Sequence, residues 1–91
     1  MKYELPIPPD GYKWRYKKDW IDGWVWVELI RKVPWGTKVV ARFSTYLFMS
    51  PSDFLENANF TVDRALEIDN HSGRIRNAIA EANSQGKDNN G

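Results

Sequence analysis

Apolar and polar positions alternate along the first half of the chain and lose that rhythm in the second. From Tyr12 to Lys18 the aromatics Tyr12, Trp14 and Tyr16 alternate with Lys13, Arg15 and Lys17, a period of two that predicts a strand. A second strand is predicted from about Trp24 to Val33. There Trp24 and Trp26 fall on one side, and Val25, Val27 and Leu29 on the other, so both sides are apolar. The stretch TKVVARFSTYLFM, residues 37–49, is rich in branched and aromatic residues and predicts a third strand. Asp-Gly pairs at 10–11 and 22–23 mark turns, the second joining two strands as a tight hairpin. Pro34-Trp35-Gly36 suits a three-residue hairpin loop with glycine at the left-handed position. Ahead of all this, LPIPP predicts an extended arm over residues 1–11, because proline lacks an amide donor and biases its predecessor away from helix.

The second half reads differently. Ser50 and Pro51 have the chemistry of a helix start, with serine capping and proline at the first helical position, and a short turn to about Asn57 is expected. In residues 59–68, Phe60, Val62, Leu66 and Ile68 alternate, which favours a fourth strand narrowly over a helical face. A helix is expected from about Ser72 to Ser84, with Ile75, Ala78, Ile79 and Ala82 along one side. Residues 85–91 read as a disordered tail. The elements together predict a single α+β domain over residues 1–84: an antiparallel three- or four-stranded sheet with a C-terminal helix packed on one face.

Turn chemistry fixes which side of the sheet takes that helix. A tight turn through Asp22-Gly23 sets Ile21 opposite Trp24, Tyr16 opposite Leu29 and Lys17 opposite Glu28. A loop through 34–36 sets Leu29 opposite Ala41, Val27 opposite Phe43, Glu28 opposite Arg42 and Trp24 opposite Tyr46. The two registers agree. One face collects Trp14, Tyr16, Trp20, Val25, Val27, Leu29, Val39, Ala41, Phe43 and Leu47, and is the predicted core, closed by Ile75 and Ile79 of the helix. The other mixes Trp24, Trp26, Ile30, Val40 and Tyr46 with Lys13, Arg15, Lys17, Lys38 and Arg42 around Glu28.

Composition narrows the chemistry. Absence of cysteine removes disulfides, thiolate metal sites and a cysteine nucleophile, and suits a reducing compartment. The opening residues hold no apolar core of a signal peptide, and no uncharged run of about 18 apolar residues spans a membrane. A cytoplasmic setting is expected, which makes the glycosylation-like triplets NFT and NHS chance matches. The net charge of +1 conceals a basic front, with all five tryptophans before residue 36, and an acidic back. His71 and Ser72 lie in what reads as a polar turn, without nucleophile context. Asp63, Glu67 and Asp69 match no calcium loop, and there is no phosphate-binding glycine loop. Neither catalytic nor metal-ligating residues are expected, no cofactor, and no small-molecule substrate.

Three readings of the tryptophan side stay open. The protein can cover it itself, with the proline arm, with Phe54 and Phe60, or with lysine and arginine stems lying over the indoles. It can be a protein interface, to a host factor or a second copy, through Trp24, Trp26, Ile30, Tyr46, Lys13, Arg15, Lys17 and Arg42, since Trp, Tyr and Arg dominate binding hot spots. It can hold single-stranded nucleic acid, with bases stacked on Trp24 and Trp26 and phosphates tracked by Lys13, Arg15, Lys17, Lys38 and Arg42. Glu28 in the middle, and the near-neutral charge, weigh against the last.

The segments LPIPPDGYKWRY, WVWVELIRK and GTKVVA resemble a group of small uncharacterised accessory proteins encoded by actinobacterial phages. Leu5, Pro6, Pro8, Pro9, Gly11, Tyr12, Trp14, Arg15, Gly36, Thr37 and Lys38 carry the match, over about residues 5–45. The resemblance implies a non-catalytic phage protein acting in a bacterial cytoplasm, and implies no activity. Proteins of that setting often bind one host protein, which favours the second reading.

Overall fold

In a computed structural model of the chain, described here for residues 2–90 and for side chains up to Gln85, three strands precede one helix. β1 (Tyr12–Lys18), β2 (Trp24–Val33) and β3 (Gly36–Tyr46) form an antiparallel sheet in the order β1-β2-β3, and α1 (Pro51–Asn90) follows. The fold is α+β, with a sheet of three strands. No fourth strand forms at residues 59–68, which lie inside α1. Expected disorder over 85–91 falls, past Gln85, outside the described side chains.

The helix begins as its sequence predicts: Asp53 N donates to the Ser50 hydroxyl at 3.2 Å and Phe54 N to the Ser50 carbonyl at 3.0 Å. It does not stop at Asn57. It buries Phe54, Ala58, Thr61 and Ala65, one residue every three or four, which is a helical stripe made mostly of small side chains. Phe60, Leu66 and Ile68, whose alternation suggested a strand, are exposed instead. Ile75 and Ile79, expected to close the core, are exposed beyond the sheet.

The core lies on the valine side. Leu29, Val40, Ala41 and Ala65 form one buried cluster and Val27, Met49 and Phe54 a second, with Trp14 packed against both. Rings meet edge-on from Trp14 to Phe43, Phe43 to Phe54 and Phe54 to Tyr3. The proline arm therefore runs over this same side: Trp14 Nε1 donates to the Pro6 carbonyl at 2.9 Å, and the Tyr3 hydroxyl donates to the Met49 carbonyl. It does not cross the tryptophan face.

Both turns differ from expectation. β1 pairs with β2 two residues away from the tight-turn register, with Trp14 opposite Leu29, Arg15 opposite Glu28 and Lys17 opposite Trp26. A two-residue type I′ turn needs positive φ at both central residues, and only Gly23, at +86°, has it. The chain instead takes a five-residue connection in which Asp19 N donates to Trp24 O and Trp24 N to Ile21 O. A slip of two keeps the side-chain alternation, so the faces survive it. The other hairpin turns through Pro34 and Trp35 alone, and Gly36 opens β3 at φ +143°. The extra residue reappears as a bulge opposite Leu29 and Ile30, where Val40 is left over between Val39 and Ala41. Val40 is consequently buried in the core and Val39 exposed, the reverse of the prediction, and Lys38 pairs with Arg31. Tyr16, Trp20 and Leu47, expected in the core, are exposed.

Candidate functional site

The face opposite α1 is built on the even positions of β2. Trp24, Trp26, Glu28 and Ile30 stand along the middle, with Lys17, Arg15 and Lys13 from β1 on one flank and Tyr46, Ser44 and Arg42 from β3 on the other. The sheet is only three strands wide, so long side chains from both edges can lie over its centre. Arg15 does this most fully. Its Nε and Nη2 donate to the same Glu28 oxygen at 3.0 and 2.7 Å, and Glu28 is 3% exposed. Arg42 stacks its guanidinium 4.1 Å from the centre of the Trp26 ring, while Trp26 Nε1 donates to Asp19 at 3.1 Å. Ile30 is buried and offers nothing to a partner. Lys38 leaves the face altogether, because its neighbour Arg31 belongs to the helix side, where it pairs with Asp69 at 3.5 Å.

The face is thus covered in part by its own cations, as one reading expected, but unevenly. At the end nearest the first turn, Trp24 stacks on Tyr46 with ring centres 5.5 Å apart, and both rings keep about 40% exposure. Leu47 and Phe48 follow Tyr46 into the connection to α1 and are exposed at 71% and 86%. Trp20 and Ile21, in the first turn, are exposed too. The sequence-predicted site therefore divides. Trp24 and Tyr46 remain open, Trp26 is clamped, Lys13 and Lys17 are exposed flankers, and Arg15 and Arg42 are engaged within the protein.

Behind this end, on the helix side, lies an open apolar groove of about 610 Å³. Trp14, Tyr16, Val25 and Val27 line it from the sheet, Leu5 from the arm and Phe54 from α1. Sequence reasoning missed it by assigning Tyr16 and Leu47 to a closed core. The signal was present in the helix, whose packing stripe is too narrow and too small to cover three strands.

The remaining candidates for chemistry lie apart. His71 and Ser72 sit in the middle of α1, not in a turn, and both are exposed. Asp69 accepts from the Tyr12 hydroxyl and pairs with Arg31, while Asp63 and Glu67 are solvent-exposed. Among the described residues no group of three or more acidic or histidine side chains converges, and no helix is long and apolar enough to cross a membrane. Comparisons with family models, with curated proteins and with solved structures find no match.

Proposed function

We propose that this chain is a non-catalytic binding protein, and that its partner is another protein engaged through the open aromatic end of the tryptophan face. One observation carries the reading: Trp24 and Tyr46 form a stacked pair in which each residue keeps about 40% exposure, continuous with exposed Leu47. Aromatic pairs held in place before binding lose little conformational freedom on contact, which is what makes such residues effective anchors. Lys13 and Lys17 supply a basic rim beside them. The resemblance of residues 5–45 to phage accessory proteins makes a host or phage protein in a bacterial cytoplasm the natural partner class.

Three details favour protein over single-stranded nucleic acid. Arg15 is neutralised by Glu28, Arg42 occupies a face of Trp26 that a base would need, and Lys38 lies with the helix-side set. The test is a pair of measurements on wild type and Trp24→Ala. Titration with oligonucleotides at low salt should leave tryptophan fluorescence unchanged in the wild type. Affinity capture from host extract should yield a defined protein that Trp24→Ala loses while staying folded, with a smaller loss of melting temperature than Trp26→Ala. Salt-sensitive quenching by oligonucleotides would transfer the face to nucleic acid.

A further inference from the structure

We propose that the distal half of α1 pairs, antiparallel, with the same segment of a second copy of this chain. The inference uses a different surface from the tryptophan face and stands independently of it. Phe54, Ala58, Thr61 and Ala65, spaced by four, three and four residues, bury one seam of the helix against the sheet. The same rhythm continues through Ile68, Ser72, Ile75, Ile79 and Ala82. A straight helix drifts about 20° per heptad from such a repeat, so between the middles of the two halves the seam turns by about 50°, to the edge of the stripe that faces the sheet.

The sheet ends where the seam does not. Tyr12 and Arg31 hold Asp69, and from Arg74 to Gln85 every residue is exposed, Ile75 at 48% and Ile79 at 56%. A helical segment of about 12 residues exposed on every side is marginal in water. Covering its apolar seam would stabilise it.

The pattern of that seam selects the occupant. Ser72, Ile75, Ile79 and Ala82 read small, large, large, small at spacings of three, four and three, so the strip is the same in both directions. Self-complementarity of this kind is what an isologous two-fold contact requires, whereas an unrelated helix would impose no such symmetry. Antiparallel pairing sets Ile75 against Ile79 of the second copy and Ser72 against Ala82, about an axis beside residue 77. A parallel pair would drive the two sheets, each on its own seam, into one volume. In the antiparallel pair each helix is covered by its own sheet over its first half and by the other helix over its second. The paired strip from Ser72 to Ala82 is about 15 Å long, a short contact that makes the association weak. Arg76 flanks the axis and meets its own counterpart, so added salt should strengthen the dimer by screening the pair.

Sedimentation equilibrium of the full chain from about 5 to about 500 μM should show the mean mass rising towards two chains, a range chosen for micromolar affinity. Joint Ile75→Asp and Ile79→Asp substitution should hold it at one chain. Leu66→Glu, an equally drastic change off the seam of the same helix, should leave association intact. Because the chain has no cysteine, single-cysteine variants report the direction without disturbing the fold. Under mild oxidation a mixture of Ser72→Cys and Ala82→Cys chains should cross-link to each other faster than either links to itself. A monomer at every concentration overturns the proposal. So does loss of association in Leu66→Glu, or preferential linking of Ser72→Cys to itself, which would require parallel helices.

Discussion

Glu28 lies on the face of the sheet that no helix covers, and yet is almost fully buried. Arg15, itself 44% exposed in its side chain, is what buries it and what satisfies it. Removing the arginine leaves a desolvated carboxylate without its cation, and that is far costlier than losing a surface pair. Arg15→Ala should therefore cost about 1–3 kcal/mol in urea unfolding, whereas Lys17→Ala, two residues along on the same face and exposed, should stay within about 0.5 kcal/mol. Equal effects would mean that Glu28 does not depend on Arg15. Trp26→Ala should cost about 2 kcal/mol, below the fully buried value because the ring is only part-buried, and Trp24→Ala clearly less. The presence of a carboxylate among cations was legible in the sequence. Which cation it takes was not, because a two-residue shift in register exchanges Lys17 for Arg15.

At the scale of elements, small differences in turn geometry had unequal consequences. The longer first connection slid β1 by two residues and preserved every face, so the core side and Trp24 opposite Tyr46 remained readable. The shorter second turn moved one residue into a bulge, and one residue was enough to exchange Val39 with Val40 and to remove Lys38 from the site. The helix was harder to read for another reason. Its buried stripe includes Ala58, Thr61 and Ala65, residues with little hydrophobic signal, while the conspicuous Phe60 and Leu66 point outward. Small side chains there let the helix lie close to β2 and β3. Ala65→Leu should force them apart and cost about 1–3 kcal/mol by overpacking. Ala78→Leu, on the exposed distal half, should change stability by no more than about 0.5 kcal/mol in dilute solution. Thermal unfolding of the two variants side by side checks this, and similar losses would mean that Ala65 is not tightly packed.

The whole molecule is 64 Å long and at most 24 Å across, dimensions set by a single helix that outruns its sheet. Chain length and composition suggested a compact domain in which the last helix closes the core, and they could not reveal that the closing is done by residues 54–65. Stability in such a shape must be graded along the axis. Amides from Phe54 to Ala65 sit under the sheet and can open only with the core, whereas those from Arg74 to Ser84 have solvent on all sides in a single chain. Hydrogen exchange at low micromolar concentration should therefore show the distal amides exchanging far faster than the proximal ones, within the fraying regime of a helix without packing. The gradient is a property of the monomer, and it carries a second consequence. If the free seam pairs with its own copy, raising the concentration should slow exchange at residues 74–84 while leaving 54–65 unchanged, because only the distal half gains a neighbour. Protection that rises in both halves together would mean global stabilisation instead of local pairing, and a flat profile at low concentration would mean that the distal helix is held by something other than its seam.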